Sequence, residues 1–287
     1  MREIIIRPPA EADSLLLHVT TGCSSNHCNF CAAYKNIPFS ILEYDEIESD
    51  IKEYSRLCPD TKRIFLLDGD ALAAPNKKLL PVLKKLNDSF PQLARISSYA
   101  NGYNITKRSD AELKELSENK LTLIYMGLES GNQDIINRCG KTSSVNEMVQ
   151  AVNRASEAGI KSSVIVLLGL GGRKYSEIHV SDTIKALNKM QPRYLSFLSL
   201  MLITGTPLYA EAKKGSFEEL TPIELLEETY NIIKGLELKK TIFRSNHVSN
   251  YLPLEGRFPK DKDKLLDLLK PAIEGKKSLR PKWLRGL

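Results

Sequence analysis

Short apolar runs alternate with amphipathic segments along most of this chain, at intervals of about thirty to forty residues. Continuous runs of leucine, isoleucine and valine predict strands that are buried on both faces. We predict such strands over residues 14–20, 63–67, 94–99, 121–126, 160–168 and 194–202. Apolar positions at helical spacing predict helices between them, over residues 43–57, 75–90, 110–118, 145–158 and 176–190. Repeated strand-then-helix units imply right-handed crossovers and a parallel sheet in an α/β fold.

The pattern changes after the sixth predicted strand. A helix is predicted over residues 222–236, a strand or loop over 240–245 and a further helix over 260–269. Six strand-helix units are too few to close an eight-stranded barrel. We predict one core over residues 1–210 and an extension over residues 211–287 that packs on the same domain, with a basic tail from about residue 275.

Three cysteines follow the first predicted strand within nine residues, as a C-x4-C-x2-C loop formed by Cys23, Cys28 and Cys31. A cubane iron–sulfur cluster has four irons, so three thiolates leave one iron open for another ligand. A structural zinc ion would need a fourth ligand, and His27 is a poor one because adjacent residues rarely converge on one tetrahedral metal. A disulfide would leave an odd thiol. The loop therefore favours a cluster with one open position.

The loop resembles the cluster loop of the radical S-adenosylmethionine (SAM) superfamily, in the glycine before the first cysteine and in Phe30 before the last. The resemblance implies a partial (β/α)6 barrel and a [4Fe–4S] cluster on Cys23, Cys28 and Cys31. SAM would chelate the fourth iron and be cleaved reductively to methionine and a 5′-deoxyadenosyl radical that abstracts hydrogen from a substrate. The chain departs from the commonest spacing, C-x3-C-x2-C, by one residue, which leaves the branch open.

Two motifs at predicted strand ends resemble SAM-binding segments of the superfamily. Asp68-Gly69-Asp70 resembles the segment, often Gly-Gly-Glu, that receives the methionine amino group of SAM. Glu129-Ser130 lies in a segment similar to the Gly-x-Glu-Ser-Gly of the branch that includes coproporphyrinogen dehydrogenases and tRNA methylthiotransferases. There the polar residues face the ribose and methionine of SAM. Glu129 is also compatible with an acidic residue stabilised at a helix N-terminus.

A glycine-rich segment, Gly169-Leu170-Gly171, ends the fifth predicted strand. It is similar to the superfamily segment whose backbone and apolar side chains sandwich the adenine, near which Phe30 is also expected. A dinucleotide loop would need the full G-x-G-x-x-G pattern, which is absent.

The densest polar cluster outside these motifs follows residue 243. Its candidate substrate contacts are Arg244, Asn246, His247, Asn250 and Tyr251. Asparagine and histidine between a strand and a helix are equally typical of turns. The resemblance implies a small-molecule or medium-sized substrate and an electron donor such as flavodoxin or ferredoxin.

Composition and the apolar runs indicate the cellular compartment of the protein. The chain has 287 residues, a net charge of +6 and five cysteines. No run approaches the roughly 18 apolar residues of a membrane helix, and the N-terminal segment lacks the apolar region of a secretory signal. We therefore expect a cytoplasmic protein with no membrane insertion, whose isolated Cys58 and Cys139 are inert thiols.

The basic tail leaves a second interpretation open. Lys276, Lys277, Arg280, Lys282 and Arg285 occur without an acid. Such a tail can attract the phosphates of RNA or a membrane surface, although a solvated tail is the commoner outcome. The leading hypothesis is a radical SAM enzyme with an unidentified substrate. The alternatives are a tRNA-modifying member and a non-catalytic cluster-binding or electron-transfer protein.

Overall fold

A computed structural model describes residues 6–286. Residues 1–5, which begin the N-terminal segment considered above, and the last residue of the basic tail lie outside it. The chain forms two compact units. The first comprises residues up to Asn26 together with Ala33–Met126 and Asn153–Ser162, and the second comprises His27–Ala32, Gly127–Val152 and the chain from Ser163 onward. The predicted division near residue 210 stays a prediction.

Ten strands and ten α-helices lie within residues 6–286. The strands are β1 (Leu15–Leu17), β2 (Thr20–Thr21), β3 (Ser40–Ile41), β4 (Arg63–Leu66), β5 (Arg95–Tyr99), β6 (Leu121–Glu129), β7 (Lys161–Leu168), β8 (Tyr194–Ser199), β9 (Ile242–Ser245) and β10 (Leu254–Arg257). The helices are α1 (Tyr44–Leu57), α2 (Asn76–Ser89), α3 (Gly102–Thr106), α4 (Asp110–Glu118), α5 (Gln133–Arg138), α6 (Val145–Glu157), α7 (Gly172–Met190), α8 (Pro207–Lys213), α9 (Pro222–Gly235) and α10 (Lys262–Ile273).

Eight of these strands form one mostly parallel sheet, in the order β1-β4-β5-β6-β7-β8-β9-β10. Strand β9 runs parallel to β8, whereas β10 returns antiparallel to β9. Strands β2 and β3 form a separate two-stranded ribbon. The predicted α/β class with parallel strands is confirmed. The extension also contributes strands, of which β10 was not predicted because Gly256 and two charged residues interrupt its apolar pattern.

Helices with clear capping signals end close to their predicted bounds. Ser109 and Glu112 form a reciprocal capping box on α4, and Thr221 and Glu224 form another on α9. Helices α3, α5 and α8 have only five to seven residues, too few to show helical periodicity. Helix α7 begins at Gly172, four residues before the predicted start at Ser176. The glycine-rich segment therefore leads directly into a helix.

A buried carboxylate organises one end of the strands in the first unit. Glu11 is fully buried and accepts hydrogen bonds from Arg95 Nη2 of β5 at 2.8 Å and from the Tyr125 hydroxyl of β6 at 2.6 Å. A buried carboxylate is costly unless donors surround it. The rings of Phe65, Tyr99 and Tyr125 pack edge to face with centroids 5.3–6.0 Å apart.

The second unit has its own aromatic core. Phe197 of β8 and Phe243 of β9 meet edge to face at 5.0 Å, and Phe258 extends the stack at 5.8 Å from Phe243. All three rings are buried. Within residues 6–286, no helix combines the length and the apolar character needed to cross a membrane.

Replacing Tyr125 with phenylalanine should destabilise the protein by about 1–3 kcal/mol, because Glu11 loses a donor while it stays buried. Urea denaturation measures the loss. Tyr99→Phe is the matched control, since Tyr99 lies in the same ring cluster and its hydroxyl makes no hydrogen bond among the described residues. Equal losses in the two variants would contradict the role given to Glu11.

Candidate functional site

The three cysteines of the predicted cluster loop form no disulfide, and each is partly exposed. Gly22 precedes the first of them with φ +70°, and a Cβ at this position would lie 2.8 Å from the carbonyl oxygen of Ile37. Only glycine meets both constraints without strain. Cys23 therefore follows a turn that the sequence specifies.

The first unit places the Asp68-Gly69-Asp70 motif directly against Cys23. Gly69 donates its backbone N–H to the carbonyl oxygen of Gly22 at 2.9 Å. A Cβ at Gly69 would lie 2.7 Å from Cys23 Sγ, so any side chain there would displace the thiol. The structure thus brings together two motifs that are 46 positions apart in the chain.

Asp68 pairs with the histidine that follows β1. Its Oδ2 atom is 2.8 Å from His18 Nδ1, and the His18 side chain is one-third exposed. His18 lies just outside the strand, because β1 ends at Leu17 although a strand was predicted over residues 14–20.

Asp70 is buried and supports the cluster loop. Its Oδ2 atom accepts from Ser24 Oγ at 2.6 Å, from Asn101 Nδ2 at 2.7 Å and from Asn104 Nδ2 at 2.6 Å. Burial raises the pKa of Asp70 to about 6, and the hydrogen bonds from Ser24 and Asn104 oppose that rise. The other carboxylate oxygen, Oδ1, is buried without a hydrogen-bond partner among the described residues.

A buried arginine holds the segments around this carboxylate. The Arg108 guanidinium donates to Asn76 Oδ1 at 2.9 Å and to three backbone carbonyls, those of Leu72, Ala74 and Asn104. Sequence reasoning missed Asn101, Asn104 and Arg108. The signal available was the position of Asn101 just after β5, at the carboxyl end of a parallel strand.

These residues fit a [4Fe–4S] cluster with SAM. Thiolates are the donors that such clusters take. Among the described residues, no three histidine, cysteine or acidic side chains gather around one ion position. The unpaired Asp70 Oδ1 suits a hydrogen-bond donor such as the SAM ammonium.

Phe30, in the second unit, packs on an apolar cluster that contains Leu170 of the glycine-rich segment. The buried members of the cluster are Ile135, Cys139, Leu170, Leu200 and Leu208. Asn29 fastens the loop by donating its N–H to the Cys139 carbonyl at 2.9 Å and accepting from the Leu208 N–H at 3.1 Å. Burial raises the pKa of the Cys139 thiol to about 12, so it stays protonated and unreactive. Cys58, in contrast, is exposed.

Glu129 is the last residue of β6 and adopts φ +62°. Its Oε1 atom lies 3.1 Å from Lys141 Nζ, and Lys141 also donates to the Gly127 carbonyl. The alternative of a helix N-terminal acid is wrong, because Asn132 caps the following helix. Sequence reasoning missed Lys141. A side chain at Gly127 would displace the Glu129 carboxylate, because its Cβ would overlap Glu129 Oε1.

Ser130 and the glycine-rich segment are each tied to helix α7. Ser130 Oγ lies 2.8 Å from His179 Nδ1 of α7. Glu228 of α9 accepts from the Gly169 N–H at 2.6 Å and from Ser176 Oγ of α7 at 2.7 Å. His179 Nε2 lies 3.8 Å from Glu228 Oε2 and is buried without a hydrogen-bond partner among the described residues. Two predicted SAM-binding loops of this unit are therefore both held by side chains of α7.

Burial keeps both His179 and Glu228 neutral near pH 6. It lowers the pKa of His179 to about 4 and raises the pKa of Glu228 to about 7. The two side chains therefore do not form an ion pair at that pH. Sequence reasoning missed Glu228, which looks like an ordinary acid on an amphipathic helix.

The five candidate substrate residues are not equivalent. Asn250 is buried and donates to the carbonyl oxygens of Phe197 and Ser245, which is a structural role. Arg244 and Asn246 are exposed. His247 Nδ1 lies 2.8 Å from Ser249 Oγ, and burial lowers the pKa of His247. Tyr251 lines a cavity that Gly169 also lines.

A sequence model of the radical SAM superfamily matches residues 17–187 of this chain. The chain therefore belongs to the radical SAM superfamily, and the predicted enzyme class is confirmed. Members of this superfamily bind a [4Fe–4S] cluster and SAM.

Two sequence relatives and one solved structure illustrate the range of similar proteins. The heme chaperone HemW of Bacillus subtilis (strain 168) is 24% identical over 176 residues, which cover 61% of this chain and 46% of that protein. A GTP 3′,8-cyclase of Clostridium perfringens (strain SM101 / Type A) is 24% identical over 250 residues, which cover 86% of this chain and 70% of the cyclase. This chain thus spans about half the length of HemW.

The structure of coproporphyrinogen III oxidase (HemN) from Escherichia coli matches with a TM-score of 0.59 at 16% identity, covering 77% of this chain and 52% of that one. This similarity supports the fold.

Replacing Asp70 with alanine should destabilise the protein by about 1–3 kcal/mol, because Ser24, Asn101 and Asn104 lose the oxygen that accepts their hydrogen bonds. Iron retained per chain after anaerobic reconstitution should fall as well, since Ser24 adjoins Cys23. Asp110→Ala is the control, because Asp110 is an exposed carboxylate paired with Arg154. Unchanged melting and unchanged iron content in Asp70→Ala would refute the supporting role.

Replacing Glu228 with glutamine should change how stability depends on pH. Between about pH 4.5 and pH 7 the unfolded state releases the Glu228 proton while the folded state keeps it, so the parent loses stability as pH rises. The glutamine variant should gain up to about 3 kcal/mol relative to the parent across this window. Urea denaturation at pH 5 and pH 8 measures the difference.

Glu227→Gln is the control for this comparison, because Glu227 is the exposed neighbour on the same helix. The free energy of unfolding of Glu227→Gln should differ from that of the parent by a constant amount over the same pH range. A constant difference for Glu228→Gln as well would show that Glu228 is not protonated in the folded protein.

Proposed function

We propose that Cys23, Cys28 and Cys31 hold a [4Fe–4S] cluster and that the protein cleaves SAM reductively to act on a small or medium-sized substrate. When bound, the cluster supplies the electron for that cleavage, which yields methionine and a 5′-deoxyadenosyl radical that abstracts hydrogen from the substrate. The close approach of Gly69 to Cys23 Sγ carries the proposal. It makes the Asp68-Gly69-Asp70 motif a neighbour of a cluster ligand.

The first unit supplies a recognition group for the amino acid part of SAM. Asp70 Oδ1 accepts a hydrogen bond from the SAM ammonium, while Oδ2 stays engaged with Ser24 and the two asparagines. Asp68 and Gly69 precede it, and the missing side chain at Gly69 leaves room for Cys23 Sγ.

The second unit supplies groups for the rest of SAM. Glu129 and Ser130 bind its polar ribose and methionine region, and Lys141 Nζ holds the Glu129 carboxylate at 3.1 Å. Phe30 and the Gly169-Leu170-Gly171 segment form an apolar surface for the adenine. His179 and Glu228 are positioning residues for these loops.

An electron donor such as flavodoxin or ferredoxin delivers the reducing electron, and a cytoplasmic location suits such a donor. The tRNA-modifying alternative draws on the basic tail. Arg280 and Arg285 donate to backbone carbonyls of residues 247–250, which holds these two cations on the second unit without removing their charge. Strongly salt-dependent RNA binding is the measurement that would support this alternative.

The first experiment is to reconstitute the cluster without oxygen, reduce it with dithionite, add SAM and quantify 5′-deoxyadenosine. The parent should produce it, and Cys28→Ala should lose at least roughly 90% of the product because a cluster ligand is gone. Cys58→Ala is the matched control and should stay within about twofold of the parent, since Cys58 is an exposed thiol outside the loop.

If the parent protein binds a cluster but forms no 5′-deoxyadenosine, one further measurement distinguishes the two functions. Electron paramagnetic resonance of the reduced cluster should change when SAM is added if SAM chelates the open iron. An unchanged spectrum would favour the non-catalytic cluster-binding function. The similarity to a protein named as a heme chaperone is the observation behind that second candidate.

A further inference from the structure

The second unit contains a cavity of about 430 Å³ beside the carboxyl ends of β7 and β8. Its volume lies within the range of small-molecule sites, which is about 300–1,000 Å³. Gly169 and Leu200 form the wall at the strand ends, and Leu220 and Leu225 form a second apolar wall at the start of α9. The C-terminal tail, which a sequence-based view leaves in solvent, forms the third wall.

The tail reaches the cavity because two arginines hold it to the loop after β9. Arg280 Nη1 donates to the carbonyl oxygens of His247, Val248 and Asn250 at 2.9–3.0 Å. Arg285 donates to the Ser249 carbonyl and to the Tyr251 hydroxyl, both at 2.6 Å, and its guanidinium lies 4.1 Å from the centre of the Tyr251 ring.

Donor capacity remains on both arginines after these bonds. Arg285 Nη1 donates to Tyr251 and Nη2 donates to the Leu200 carbonyl at 3.3 Å. Each of these nitrogens carries two hydrogens, so each keeps one. The Nε and Nη2 atoms of Arg280 form no hydrogen bond among the described residues. Two guanidinium groups with unused donors therefore line one cavity.

The charge of the lining is unbalanced. Arg280, Arg285 and Lys282 contribute three positive charges, and Glu219 contributes the one negative charge among the residues that line the cavity. Glu219 is exposed, so water and salt screen it, whereas both arginines are partly buried. Carboxylates and phosphates are the groups that a guanidinium binds with two parallel hydrogen bonds.

From this combination we infer that the cavity binds a small organic anion whose apolar body lies against Leu200, Leu220 and Leu225 and whose carboxylate or phosphate lies at Arg280 and Arg285. The inference that the cavity binds such an anion does not depend on the function of the protein. The further inference that this anion is the substrate rests on the proposed function. Gly169, in the predicted adenine-binding segment, then lies in the wall of the same cavity.

Two probes of matched shape test the inference on the reconstituted protein. 1-Naphthylacetate has an apolar body and a carboxylate, and 1-naphthylacetamide has the same body without the charge. Fluorescence titration should give roughly tenfold tighter binding of the acid, which corresponds to one charge-assisted hydrogen bond or more. The preference should shrink as salt is added. Equal affinity for the two probes would overturn the inference.

Variants locate the probe. Leu279→Trp should abolish binding of both probes, because the larger side chain fills the cavity that Leu279 lines. Arg285→Gln should lower the affinity for the acid roughly tenfold and leave the amide unchanged. Since Arg285→Gln also loosens the tail, Lys282→Gln serves as a second variant and should weaken the acid by about twofold to fivefold. Binding that survives Leu279→Trp would place the probe elsewhere and overturn the inference.

Lys276→Gln is the matched control, because Lys276 is a cation of the same tail that pairs with Glu274 and does not line the cavity. Its affinity for the acid should stay within about twofold of that of the parent.

A final titration includes saturating SAM. Retained probe binding supports a site separate from SAM, whereas competitive loss would assign the cavity to SAM and overturn the substrate class. The experiment measures probe binding, so it can support or overturn the inference even if the protein does not cleave SAM.

Discussion

Buried carboxylates with obligatory donors hold the loops at the strand ends. A carboxylate removed from water loses several kcal/mol of hydration unless hydrogen-bond donors replace it. Asp70 meets this requirement with Ser24, Asn101 and Asn104, and so fixes the turn that carries Cys23. Glu228 meets it with the Gly169 N–H and Ser176. In each unit the need of one acid for donors therefore determines the conformation of a predicted cofactor loop.

The two carboxylates differ in whether one of their oxygens is left without a hydrogen-bond donor. All donors to Asp70 converge on Oδ2, and Oδ1 stays buried and unpaired among the described residues. Glu228 has donors on both oxygens, with a neutral histidine 3.8 Å away. An acid with an unsatisfied oxygen can bind a ligand, whereas an acid whose oxygens are both engaged can only position its neighbours. This contrast separates a binding role for Asp70 from a supporting role for Glu228.

The fold class and most strands followed from the sequence, because buried parallel strands are continuous apolar runs and helices α4 and α9 carry capping boxes. Local motifs were also visible, since Cys23 and the Asp68-Gly69-Asp70 segment are short and contiguous. Partners from distant elements were not visible. Asn104 and Glu228 are ordinary helix residues in the sequence, and Arg108 lies between two helices. Only tertiary contacts bury Arg108 and Glu228 and bring Asn104 to Asp70. Asn250 illustrates the opposite error, because a polar residue in a polar segment is here a buried structural group.

The residues beyond position 210 matter more than their weak motifs suggest. Glu228 of α9 binds the Gly169 N–H, so the glycine-rich segment of the family core depends on a side chain from the extension. Arg280 and Arg285 close a cavity beside the same glycine. The family motifs describe what all radical SAM members share, namely the cluster and SAM. What distinguishes one member from another must then be sought in segments such as this one, where the family pattern ends and the charges of the tail meet an apolar wall.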